Sequence, residues 1–335
     1  VAPNYAVYAL ARICIGAGVG GLGLSSFVWN SEVLGPQSRS ILAATTNGTF
    51  ALGVLLLPPV AYFIPRWRYF SGALFLLGVM LLPLFRLQES PKWYAAVGRA
   101  EEAHIVMLRI AAANGMEDPP APPAPADQSA EKKQLAASSP PRQSILQELL
   151  CDSRLSRRFV VMCFTWFSLS VGYYGLSMSV SNLGWDINTA VIVSQLTELP
   201  VYFPAIPLVD SKCAGRRGTT VANLLLAGCC CLMAAAASRE AAPDPEDIGG
   251  EENSASPSLE IICLVYLGKA GVALAFTVVY LYAAELFPID VRSRAMGLQS
   301  LCSRIGGMMA PIIADIGKDS MALALVLFGM PSLLS

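Results

Sequence analysis

Hydrophobic positions in this chain come in long blocks. Nine stretches of about 20 residues are nearly free of charge, near 5–28, 41–64, 69–87, 159–181, 187–209, 219–237, 259–282, 295–316 and 320–335. A hydrocarbon core of about 30 Å is crossed by that many residues at a rise of 1.5 Å each, which predicts nine membrane-spanning helices, the last incomplete. Several carry Gly and Pro, which a membrane helix tolerates when its neighbours satisfy the freed backbone groups. The interruptions are mostly short. The main exception, 88–158, opens on a helical-looking stretch, "ESPKWYAAVGRAEEAHIVMLRIAAANG". It then passes through "PPAPPAPADQSAEKKQLAASSPP", too poor in bulky apolar residues to order itself, and closes on an amphipathic run, "RQSILQELLCDSRLSRRF". The segment 238–258 is acidic, contains proline and reads as a solvated loop.

Composition agrees with a lipid solvent. Of 335 residues, 54% are hydrophobic and 14% charged, against about 25% charged in a soluble domain; mean hydropathy is +0.53. A net charge of −1 argues against nucleic acid as a partner. With residue 1 outside, the inner segments carry 15 Lys and Arg and the outer ones 4, as the positive-inside rule requires. The remaining four, Arg12, Arg86, Lys269 and Arg304, fall within the spans. Nine cysteines include the run Cys229–Cys230–Cys231, whose spacing suits neither zinc nor a disulfide framework; they read as small packing residues, with palmitoylation as the alternative. The single histidine, His104, reads as a plain surface residue, which leaves no basis for histidine catalysis. No phosphate-binding GxxxxGK[ST] loop is present. Neither enzymatic activity nor a cofactor nor a metal is expected. The chain starts at Val1 and stops within an apolar run, so both ends are expected to be cut. The "NGT" sequon at 47–49 falls inside a predicted helix and is discounted.

Several motifs carry a resemblance. "ESPKW", Glu89 to Trp93, followed by "GRAEEA", resembles the stretch after the sixth helix of solute carrier family 22, the organic cation, anion and carnitine transporters of the major facilitator superfamily. "YAAELFPIDVRSRAMG", Tyr282 to Gly297, is similar to that family's tenth-to-eleventh-helix junction, and "ARICIGAG" with "NSEVLG" to its fourth helix. "SVGYYGLSMSVSNLGWDI", "ELPVY" and "GKAGVALAFTVVYLYAAEL" are nearest the carnitine-type branch. The resemblance implies an all-α polytopic membrane protein of major facilitator fold, with counterparts of the fourth to twelfth helices. Residues 1–87 would be the second half of the N-terminal bundle, 88–158 the central cytosolic loop and 159–335 a C-terminal six-helix bundle. The implied function is transport of a small organic ion by alternating access in the plasma membrane, with a coupling ion an open question. The sequence departs from the family at "DSKCAGRR", Asp210 to Arg217, two residues longer than the usual junction. That change and the missing helices keep a non-transporting receptor or scaffold as the alternative.

Where cation transporters have an aspartate before the IGG motif, this chain has Arg304, as anion and carnitine members do. A guanidinium facing lipid costs about 2.5–3.5 kcal/mol. Facing a watery cavity it costs far less and can hold a carboxylate through two hydrogen bonds. The alternative is an internal ion pair with Glu198 or Glu285. Glu198 itself could pair with Arg304 or with Lys269, which is also a candidate substrate contact, or face a quaternary ammonium. Tyr202, four residues on, shares its helical face, and Trp166, Tyr173, Tyr174 and Tyr280 are further candidates for an aromatic pocket; each equally fits core packing. One arginine among aromatics suits an anion or a carnitine-like zwitterion better than a simple cation. Arg12, inside the first span, is expected to have a structural or gating partner. Asp210, Arg216, Arg217, Glu285, Arg292, Glu89 and Arg99 lie at cytosolic ends, where the resemblance implies inter-helix salt bridges that break as the bundles rock.

Overall fold

A computed structural model describes residues 4–35, 38–82, 86–116, 153–179, 186–211, 214–240, 258–287 and 289–335. Much of the expected linker and of the acidic loop 238–258 lies outside the described residues, as do positions 180–185. The described chain is helical: α1 (Tyr5–Val33), α2 (Arg39–Phe63), α3 (Trp67–Val79), α4 (Pro91–Val97), α5 (Ala100–Asn114), α6 (Ser153–Ser179), α7 (Ile187–Glu198), α8 (Tyr202–Asp210), α9 (Gly215–Glu240), α10 (Leu259–Leu286), α11 (Ile289–Asp319) and α12 (Met321–Leu334). A 3₁₀ turn, Leu199–Val201, joins α7 to α8 into one span. Each of the nine predicted spans contains a described helix, and six, counting α7–α8 as one, are long and apolar enough to cross a membrane. The third is shorter than expected: α3 stops at Val79 and the chain continues in turns.

Packing divides the chain into two compact units, 1–39 with 64–148, and 40–63 with 149–335. In the first, the Asn4 side chain caps α1 by accepting from the Val7 N–H at 3.0 Å. At the far end of that helix, Trp29 Nε1 donates to the Gln88 carbonyl at 3.1 Å, and the Ser90 hydroxyl donates to Glu32. Ser90 also caps α4, accepting from Trp93 N–H at 3.1 Å, with Pro91 at the first helical position. Gly98, at φ +80°, takes the left-handed conformation that ends α4 and lets α5 turn back on it. His104 is half-buried and so departs from a plain surface residue; it neighbours the buried face of α5 marked by Ala103 and Ala111.

The second unit holds the larger core, and its most extensive helix pair is α6 with α11. Small residues make that approach possible. A Cβ placed on Gly306 would lie 2.6 Å from the Phe167 carbonyl oxygen of α6. Gly175 likewise leaves room for the Phe328 ring of α12. Gly228 and Gly329 pack α9 on α12, with the Cys231 Cβ 2.8 Å from a Cβ built on Gly329. Cys230 and Cys231 are buried packing residues, whereas Cys229 is exposed. α2 packs with this unit, its Ala51 clustering with Tyr202 and Ala273. Asn47 of the sequon lies within α2 and donates to the Ala43 carbonyl at 3.0 Å.

Gly306→Val forces α6 and α11 apart at a backbone contact. Overpacking of this kind costs about 1–3 kcal/mol, so the detergent-solubilised variant should melt several degrees lower. Gly297→Ala, with open space around its Cβ, should melt within a degree of the parent.

Candidate functional site

The candidate site forms where one span of the second unit is broken. Pro200 has no N–H, and its ring crowds the carbonyl four residues back, which kinks or breaks an α-helix. The chain responds with the 3₁₀ turn Leu199–Val201. Glu198 is the last residue before the turn and is wholly buried. Lys269, from the middle of α10, is also buried and sets its ammonium 2.8 Å from Glu198 Oε1. Two buried charges are costly unless every lone pair and proton finds a partner, and here the carboxylate is well supplied. Oε2 accepts from the Tyr173 phenol at 3.1 Å and the Tyr202 phenol at 3.3 Å. Oε1 accepts additional, longer contacts from Gln195 Nε2 at 3.4 Å and the Ser194 hydroxyl at 3.5 Å. Lys269 also donates to Ser194 Oγ, so this hydroxyl bridges the ion pair. The Tyr173 ring faces the ammonium at 5.5 Å, close enough for a cation–π contribution.

A cavity of about 190 Å³ adjoins this cluster. Its wall comes from Phe50 and Val54 of α2, Tyr173, Tyr174 and Ser177 of α6, residues of α7, and Lys269. The buried Gln195 side chain reaches this cavity while its Oε1 has no hydrogen-bond partner among the described residues.

Aromatic contacts lead from this cluster toward Arg304. Tyr173 meets Phe276 at 5.9 Å between ring centroids, Phe276 meets Tyr280 at 6.1 Å, and Tyr280 meets the fully buried Trp166 at 4.4 Å. Arg304 is close enough to Tyr280 to interact with it electrostatically. The guanidinium is exposed and forms no ion pair among the described residues. Of the substrate candidates, then, Glu198, Lys269, Tyr173 and Tyr202 form one cluster, Tyr174 lines the adjoining cavity, and Trp166 and Tyr280 lie along the ring series with Arg304 at its end. Glu198 takes Lys269 as its partner. Ser194, Gln195 and Phe276 were absent from the sequence reading. The first two were detectable, lying four and three residues before Glu198 on the same helical face.

A second polar cluster closes the other end of the same helices. Arg216 of α9 contacts Glu285 of α10 at 2.9 Å and Asp210 of α8 at 3.4 Å, and donates to the Val209 carbonyl at 3.0 Å. Asp210 in turn accepts from the Ser40 hydroxyl of α2 at 2.7 Å. Four elements are tied together by groups that remain partly exposed, a setting in which each ion pair contributes about 0–1 kcal/mol. The other terminal charges have their own surroundings. Arg217 and Glu89 are exposed, and Arg292 donates to the Phe287 carbonyl at 3.3 Å. Arg99 forks onto Glu102 at 2.5 and 2.6 Å within its own helix turn. Arg12 donates to the Tyr8 hydroxyl at 2.9 Å.

Removing one member of the buried pair leaves an uncompensated charge. Lys269→Met should cost about 3–5 kcal/mol, and the double variant Lys269→Met/Glu198→Gln should recover most of that loss. Strict additivity of the two single effects in thermal unfolding would contradict the pairing.

Comparison with known proteins accounts for this architecture. The sugar (and other) transporter family model matches residues 1–332. Solute carrier family 22 member 15 of Xenopus tropicalis is 31% identical over 98% of this chain and 58% of its own length. The human organic cation/carnitine transporter 2 is 30% identical over 99% of this chain and 56% of its own. The chain therefore spans a little over half the length of these relatives. Among solved structures, a proton:xylose symporter of the major facilitator superfamily superposes with a TM-score of 0.70 at 18% identity, covering 98% of this chain and 69% of that one. The shared architecture is the major facilitator fold, and the multi-pass chain with a broken helix and buried ion pair belongs to the sugar (and other) transporter family.

Proposed function

We propose that the protein carries organic ions across the plasma membrane by alternating access, taking an anion or a carnitine-like zwitterion in preference to a simple cation. The observation that carries this reading is the state of the two deep charges. Glu198, the carboxylate best placed to attract a cation, is occupied by Lys269 and by two tyrosine hydroxyls. Arg304 keeps an exposed guanidinium beside Tyr280, with no acidic partner among the described residues. A substrate carboxylate would meet a free donor fork at Arg304. An ammonium would have to compete with Lys269 for Glu198. Rings such as Tyr173 and Tyr174 at the cavity can receive the quaternary ammonium of a zwitterion without a formal negative charge. One relative's name, organic cation/carnitine transporter 2, includes carnitine beside organic cations and so supports an organic-ion substrate without choosing among the classes.

Oocytes expressing the full-length protein, offered labelled carnitines, organic anions and organic cations, should show saturable uptake of the first two classes. A charged hydrogen bond contributes about 1.5–3 kcal/mol. Arg304→Asp should therefore lower anion and zwitterion uptake about tenfold or more at equal surface expression. Unchanged uptake would remove Arg304 from the site. Absence of saturable flux for every class would replace the transporter with a receptor or scaffold.

A further inference from the structure

We propose that Cys163 of α6 and Cys302 of α11 form a dithiol modification site, which hydrogen peroxide oxidises to a reversible cross-link between the two helices. Both residues belong to the second unit, and both are free, half-buried thiols. Their side chains are close enough to interact with each other through a hydrogen bond.

The packing of the two helices leads to the same pairing. A Cβ on Gly306 of α11 would meet the Phe167 carbonyl oxygen of α6 at 2.6 Å and the Ser170 and Val171 side chains at 3.2 Å. A Cβ on Gly307 would meet the Tyr174 ring at 3.3 Å. Nearer the helix starts, Phe159 of α6 meets Phe287, just before α11, at 6.3 Å between ring centroids. Residue numbers thus rise together along the seam, and the helices run in the same direction. Cys302 stands four residues before Gly306 and Cys163 four before Phe167, about one turn back on each helix. The register therefore sets the thiols beside each other. A disulfide needs its Cα atoms about 4.4–6.8 Å apart, and the glycine contact one turn away holds the backbones close. Cys229, Cys230 and Cys231 are also neighbours, but they follow one another along α9. A regular helix turns successive side chains about 100° apart, so these three are not placed to close on each other.

The chemistry balances with peroxide as the oxidant. One thiol attacks a peroxide oxygen as its thiolate; the O–O bond breaks, a sulfenic acid forms, and the departing hydroxide takes up the released proton as water. The second sulfur then attacks the sulfenic sulfur, the S–O bond breaks, and a second water leaves with the second thiol proton. Two electrons pass from sulfur to oxygen. A small thiol reverses the step by exchange. The cross-link would fasten α6 to α11 two residues before Arg304 and three before Trp166. Its formation does not depend on the transport reading.

The test is peptide mass spectrometry of the full-length protein, treated with hydrogen peroxide in detergent and then digested. The parent should yield a cross-linked peptide pair carrying Cys163 and Cys302, and dithiothreitol should return both free thiols. The oxidised parent should melt several degrees above its reduced form. Cys302→Ser should abolish both effects, and Cys263→Ser, at an exposed position of α10, should keep both. Recovery of both residues of the parent as free thiols, or as separate sulfinic acids, would overturn the pairing. A melting rise that persists in Cys302→Ser would overturn the helix cross-link as its cause.

Discussion

A charge carried into a bilayer has to be matched by another charge or face water, and in this protein the deepest match is Glu198 with Lys269. Neither side chain is accessible to solvent to any useful degree, so each depends on the other and on the hydroxyls around them. That dependence fixes the relation of α7, α10 and α6 more tightly than apolar contact alone, because hydrocarbon side chains gain little by choosing one another over lipid. The pair also sits where Pro200 interrupts the span. Hydrogen-bonding capacity released by a broken helix is tolerated only where protein or water can absorb it. The break and the ion pair are in this sense one feature.

From that cluster the series Tyr173, Phe276, Tyr280 and Trp166 runs toward Arg304. Rings suit such a path, since they are rigid, fill space and present a negative face to cations without carrying charge. The close approach of α6 and α11 at Gly306 places Arg304 beside this path. At the other end, Arg216 gathers α8, α9 and α10 through weak, half-exposed contacts, with α2 joined through Asp210 and Ser40. The deep pair is costly to break and the end cluster is not, the distribution that the proposed alternating access would use.

Much of this was legible in the sequence. Lipid demands long apolar runs, so nine helices could be read from hydrophobic blocks alone; the break at Pro200 could not, since α2 runs on through Pro58 and Pro59. The motif resemblance pointed to the family and to Lys269 and Arg304. The choice of partner was not legible. Glu198 had two possible cations in the chain, and nothing in a linear pattern says which helix faces which. The same limit hid the packing of α2 beside Tyr202 and Ala273, because periodicity tells which residues are apolar and not what they meet. Ser194 and Gln195 were missed for another reason: small polar residues in a membrane helix read as neutral until a buried charge is known to need them.

The proposed function requires that the polar groups of the second unit border a watery pocket that a solute enters. It is tested most directly by placing single cysteines at positions 195 and 304 in a background lacking the nine native cysteines and treating intact membranes with a hydrophilic thiol reagent. The account predicts modification at both positions, slowed by carnitine or a competing organic anion and not by a simple cation. Thiols at both positions that stay unmodified whichever face of the membrane receives the reagent would contradict it.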